Sequence, residues 1–160
     1  MREESPVIMN SQTGFMNIAL EQARFAGDRG EVPVGAVLVC NGEIVTRAGN
    51  ETRELNDPTA HAEVLVIRKA CKMRNSERLP DCDLYVTLEP CPMCAAIVSF
   101  ARIRRLYYGA KDMKSGAVEH GPGYYGHVTC HHVPETYSGF QEIACSKLLS
   151  DFFEGLRHKP

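Results

Sequence analysis

A chain of 160 residues, 44% of them hydrophobic, is long enough for one full core and too short for several. Its net charge of -2 supplies no global basic field of the kind that advertises nucleic acid, although local patches matter more than the sum. No segment approaches membrane length, residues 1–10 hold no apolar run of signal-peptide length, and seven scattered cysteines do not form a disulfide framework, so one cytoplasmic domain is expected over 1–160, with 1–12 loosely ordered.

Phe15, Ile18, Ala19, Ala23 and Ala26 recur at helical spacing, and Gly27 and Gly30 mark a stop, which predicts an amphipathic helix over 13–28. The apolar run Val34 to Cys40, the pair Asn41-Gly42 and the run Glu43 to Ala48 predict two antiparallel strands joined by a tight hairpin. A helix is expected to begin near Thr59, with Asp57 or Thr59 as N-cap and Pro58 in its first turn. It carries Val64, Leu65, Val66, Ile67, Ala70 and Cys71, and Arg68, Lys69 and Lys72 lie toward its end. Leu84 to Leu88 reads as a strand, Met93 to Phe100 as an apolar helix opened by Pro92, and Arg104 to Ala110 as a further strand. Residues 111–134 are rich in Gly and His and predict a long irregular rim. Cys145, Leu149, Phe152 and Leu156 fall at i, i+4, i+7 and i+11, one stripe of a closing helix with a basic end at Arg157, His158 and Lys159. Alternating helices and continuous apolar strands predict an α/β domain layered as helix, sheet, helix, with its site at the strand ends.

The chemistry concentrates in Asp57-Pro-Thr-Ala-His-Ala-Glu63 and Leu88-Glu-Pro-Cys-Pro-Met-Cys94. A structural zinc site fills all four positions from protein, whereas a catalytic site takes three and leaves one for water or substrate. His61, Cys91 and Cys94 make three. With Pro92 opening a helix, both sulfurs lie near its positive end, which favours the thiolates zinc needs. Glu63, two residues beyond His61 and about 200° further around a helix, reads as a proton carrier rather than a ligand. Each residue alone has a plainer reading: C-x-x-C as a redox pair or half of a structural zinc site completed by Cys130, His131 or His132, His61 as a helix-start histidine, and Glu63 as a solvated first-turn acid. Together, H-x-E followed by P-C-x-x-C matches the signature of the zinc nucleobase deaminases.

Beyond that signature the chain resembles the bacterial tRNA-specific adenosine deaminases from about Gly14 to Arg157. The resemblance rests on Glu31 to Val39, Asp57 to Glu63, Leu84 to Cys94, Arg102-Ile103, Gly109 to Asp112, Lys114 to Ala117 and Leu148 to Phe153. It implies the cytidine-deaminase-like three-layer α/β/α sandwich with a five-stranded mixed sheet, one Zn2+ per subunit, and a homodimer whose sites borrow from the neighbour. It also implies roles: His61, Cys91 and Cys94 for zinc, Glu63 for proton transfer, Asn50 for the flipped base, Asp112 for the ribose or backbone of the target nucleotide, and Lys114 with the basic end near Arg157 for phosphates. Glu51-Thr52 and Cys130 to Pro134 depart from the family pattern at the rim that would face the RNA.

The implied reaction is hydrolytic deamination of adenosine to inosine at the wobble position of a tRNA anticodon stem-loop, where a base can be splayed out cheaply. Two enzymatic rivals share the zinc motif: a guanine deaminase, suggested by Ala60 to Val64 and Ile67 to Lys72, and a deoxycytidylate-type nucleotide deaminase. A non-catalytic zinc or redox module built on Cys91 and Cys94 is the rival from another class.

Overall fold

The computed structural model describes residues 11–158. Ten elements follow in order, nine of them regular: α1 (Ser11–Asp28), β1 (Gly35–Cys40), β2 (Glu43–Gly49), α2 (Ala62–Arg74), β3 (Cys82–Leu88), α3 (Pro92–Phe100), β4 (Arg105–Ala110), a single 3-10 turn (Tyr124–Gly126), β5 (Glu135–Tyr137) and α4 (Glu142–Arg157). The sheet runs β2-β1-β3-β4-β5. β1 pairs antiparallel with both β2 and β3, whereas β3–β4 and β4–β5 are parallel, so the sheet is mixed as expected.

Local chemistry explains most of these elements. Asn41 and Gly42 both take positive φ, 52° and 78°, the backbone that a two-residue turn needs to match strand twist. β1 is buried along its whole length because helices cover both of its faces, which accounts for its unbroken apolar run. On one face α2 and α3 pack Val66, Ile67, Ala70 and Val98 against Leu38, Leu84, Leu106 and Tyr108. On the other, α1 and α4 bring Met16, Ala19, Leu20 and Cys145 onto Val37, Val39, Tyr85 and Tyr107. α1 sits so close to the sheet that a Cβ on Gly49 would stand 2.7 Å from the Gln22 carbonyl oxygen, and one on Gly35 would collide with the Ala19 carbonyl.

Several expectations need correction. α2 begins at Ala62 with His61 as its N-cap, not near Thr59, because Asp57 spends its carboxylate on a turn of its own, accepting from the Thr59 N–H and hydroxyl at 2.8 and 2.7 Å. Those bonds hold the Asp57 carboxyl below the usual range. Residues 11 and 12 open α1 rather than belonging to a loose segment, and the remainder of that expectation, 1–10, lies outside the described residues. The cysteines are not all free: Cys40 and Cys82, opposite one another in the β1–β3 register, form a disulfide. The α4 stripe starts as expected at buried Cys145, but Leu156 at its far end stands outside the core. β5 has no apolar pattern. It is tied on by Tyr137, which stacks at 5.0 Å on Tyr107, itself stacked at 4.4 Å on Tyr85 in the same rung of the sheet.

Candidate active site

The two motifs meet because two helices begin at the same place. His61 caps α2 and Cys91 caps α3, with Pro92 in the first turn of α3, so the positive ends of both helices converge on the three side chains. His61 Nδ1 lies 3.7 Å from Cys91 Sγ and 3.5 Å from Cys94 Sγ, and all three donor atoms lie within 4.8 Å of one another. Zinc with bonds of about 2.0 Å to nitrogen and about 2.3 Å to sulfur in tetrahedral geometry separates such ligands by roughly 3.6 Å. The donor set therefore fits zinc in chemistry and in spacing. Among the described residues no other His, Cys, Asp or Glu group of this kind occurs. Cys130 instead packs on Ser99 at the far end of α3, and the His132 ring bonds to the Ile103 carbonyl oxygen at 2.7 Å, so the fourth-ligand alternative has no geometric support.

The electrostatics suit a cation. The Cys91 thiol is pushed down to about 4, first by the hydrogen bond from the Cys94 thiol and then by His61 and the first turn of α3. The Cys94 thiol is pushed up because it holds the proton that Cys91 shares. His61 is pushed up by its contact with Cys91. The pair thus behaves as one thiolate stabilised by its neighbour, a negative centre waiting for a positive partner.

Glu63 is 4% exposed and belongs to this centre. Because His61 precedes the helix, the 200° separation does not apply, and the buried Glu63 carboxyl lies beside the His61, Cys91 and Cys94 group. Burial raises its pKa above the ordinary value, the condition for a carboxyl that must both take and give protons near neutrality. Asn50, buried at the end of β2, accepts from the Ala62 N–H through Oδ1 at 2.8 Å, which fixes its side chain over the start of α2.

Asp112 and Lys114 stand apart from the metal-binding group. The Asp112 Oδ1 accepts from the Lys114 and Ser115 N–H groups and so folds the turn after β4, while Lys114 is exposed. A groove of about 1300 Å³ lies between this turn and α4, lined among others by Lys111, Asp112, Lys114, Phe153 and Arg157.

Two buried carboxylates went unassigned by sequence reasoning. Glu31 accepts from the Arg53 and Glu54 N–H groups and holds the 50–56 loop. Glu89 accepts from a series of N–H groups in 112–120. The available signal was an acid embedded in an apolar context, Glu31-Val-Pro-Val and Leu-Glu89-Pro, where a solvated carboxylate is out of place. Tyr125 also turns inward, its hydroxyl donating to the Ala95 carbonyl oxygen at 3.0 Å, so it packs over α3 rather than offering a face for stacking.

The cytidine and deoxycytidylate deaminase zinc-binding region matches residues 9–110 of this chain. A tRNA-specific adenosine deaminase of Agrobacterium fabrum is 59% identical over 149 residues, 93% of this chain and 98% of that protein. A solved structure from work on A-to-I editing by tRNA:A34 deaminases at the wobble position of transfer RNA aligns with a TM-score of 0.85 at 61% identity, covering 86% of this chain and 99% of that one. The guanine deaminase of Bacillus subtilis shares the architecture at a TM-score of 0.60 and 30% identity, covering 92% and 94%.

Proposed function

The chain belongs to the zinc-dependent cytidine and deoxycytidylate deaminase family and, within it, to the tRNA-specific adenosine deaminases, and from that premise we propose that it converts the wobble adenosine of a tRNA anticodon to inosine. Adenosine and water are consumed, and inosine and ammonia are released. What carries this reading is the convergence of His61, Cys91 and Cys94 beside the buried carboxylate of Glu63. The guanine deaminase alternative has a lower identity across a comparable length.

The enzyme uses one zinc per subunit, with His61, Cys91 and Cys94 as its ligands. When bound, zinc lowers the pKa of water at its open position to about 7, which makes a nucleophile available at neutral pH. Glu63 carries protons: its carboxylate takes one from the attacking water and delivers it to the purine ring nitrogen, then takes the second from the hydroxyl added at C6 and delivers it to the departing amine, so that C6 ends as a carbonyl and ammonia leaves. The buried setting keeps each proton off bulk water between uptake and delivery. Asn50, its Oδ1 already held by the Ala62 N–H, directs its amide N–H groups at the base. Asp112 meets the ribose or backbone of the target nucleotide, and Lys114 and Arg157, across the groove beside α4, meet phosphates. A base in an anticodon loop costs less to extrude than one in a duplex, which suits a site whose proton carrier is buried.

The protein is read as one deaminase domain that acts in the cytoplasm as a homodimer. Exposed apolar side chains on helix faces, among them Phe100 on α3 and Met73 on α2, support a self-association surface. No described helix is long and apolar enough to cross a membrane.

The purified protein, incubated separately with an anticodon stem-loop carrying a wobble adenosine and with free guanine, cytidine and deoxycytidylate, is expected to yield inosine from the stem-loop alone by mass spectrometry. Product from a free base or nucleotide would keep the chemistry and overturn the tRNA assignment. No product from a fully zinc-loaded protein would favour the non-catalytic reading.

A further inference from the structure

The 112–120 segment has few apolar anchors, chiefly buried Ala117 and half-buried Val118. It follows β4, and four of its backbone N–H groups point at one carboxylate. Glu89 Oε1 accepts from the Asp112 N–H at 3.1 Å and meets His120 Nδ1 at 2.7 Å, while Oε2 accepts from the N–H groups of Val118, Glu119 and His120 at 3.2, 3.0 and 3.1 Å. The carboxylate is closed off from solvent: its side chain is 0% exposed. Five donors on one buried carboxylate form a cage, and Gly116 is part of its wall, since a Cβ there would lie 2.5 Å from Oε2. The chain on either side of Glu89 is equally committed. Its N–H donates to the Ala110 carbonyl oxygen, Pro90 accepts from the Ala117 N–H, and Cys91 follows as a zinc ligand.

We propose that Glu89 is a positioning residue for substrate binding: it fastens the 112–120 rim, and Asp112 in particular, to the same β3–α3 connection that carries the two zinc-ligating cysteines. One carboxylate thereby fixes the distance between where the base reacts and where its nucleotide is gripped. Backbone N–H groups, unlike side chains, cannot turn away to other partners, so removing the acceptor leaves up to four buried donors unpaired and the loop free to move. The inference rests on the reading that the rim faces an RNA substrate.

The test is steady-state kinetics of the zinc-loaded Glu89→Gln protein on the anticodon stem-loop, alongside wild type, with zinc content measured by mass spectrometry. A glutamine keeps the shape but turns one acceptor oxygen into a donor aimed at other donors. The expected result is one zinc per chain, a KM raised by about ten- to a hundredfold, and a kcat changed little. Gly116→Ala, whose added methyl presses on the Glu89 carboxylate and the Asp112 carbonyl oxygen while leaving Glu89 and the zinc ligands chemically intact, is expected to raise KM in the same way, and Glu89→Asp to restore part of the loss. Unchanged KM in both Glu89→Gln and Gly116→Ala would overturn the proposal, as would zinc loss with a parallel fall in kcat, which would make Glu89 a support of the zinc-ligating β3–α3 connection alone. Should Glu89→Gln fail to fold, Gly116→Ala decides by the same readout. A wild type inactive on the stem-loop would instead overturn the function itself, and that outcome is seen before any variant is compared.

Discussion

Glu63 and His61 sit two residues apart and are proposed to do different work, so their alanine variants should separate cleanly. Glu63→Ala removes a proton carrier and no metal ligand. Turnover should fall by on the order of 10² to 10⁴-fold while zinc stays at one per chain. His61→Ala removes one of three protein ligands and should lose both zinc and activity. A Glu63→Ala enzyme of near-normal rate would sink the proton-carrier role. Cys145 offers a second residue-scale test, because burial pushes its thiol up to about 12. Its thiolate is negligible near neutrality and grows only as pH rises toward that value, so iodoacetamide at pH 8 should leave Cys145 unmodified in the folded protein. Labelling by mass spectrometry as rapid in the folded as in the denatured chain would contradict this. These identities were readable in the sequence because ligand chemistry and the three-residue spacing of Cys91 and Cys94 are local facts. Glu31 and Glu89 were not, since what makes each essential is a set of N–H donors 22 to 31 residues away.

At the scale of elements, the hairpin and the first helix illustrate two kinds of legibility. Asn41-Gly42 announces its turn within two residues. Gly35 looks like an ordinary small residue in an apolar strand, and its purpose appears only when α1 lies across it and leaves no room for a side chain at the Ala19 carbonyl. Gly35→Ala should therefore push α1 away from the sheet and cost about 1–3 kcal/mol of stability. Urea unfolding with an unshifted midpoint would show that the helix accommodates the methyl group freely. The start of α2 is a case where propensity misleads. Asp57 and Thr59 have the right chemistry for an N-cap, but they satisfy each other four and two residues before the cap position, which His61 takes while Asn50 Oδ1 accepts from the Ala62 N–H.

Taken whole, the molecule joins two loops and two helix starts at one cation site, so the metal should act as a structural keystone as well as a cofactor. Removing zinc with a chelator is expected to abolish activity and lower the melting temperature, and restoring zinc to recover both. Linkage predicts a stabilisation of about 4 kcal/mol when free zinc stands a thousandfold above its dissociation constant. A melting temperature indifferent to chelation in a protein shown to have lost its metal would mean that the site is preformed by protein contacts alone. What the sequence by itself determined were the features written within a few residues: the grouping of His61, Cys91 and Cys94, the hairpin, the periodic face of α1 and the apolar runs of α2 and α3. Only the tertiary structure decided the Cys40–Cys82 pair, the attachment of β5 through stacked tyrosines, and the cage around Glu89. Each of these depends on contacts between distant parts of the chain. No local propensity encodes such contacts, because their partners are brought within reach only when the sheet order is set.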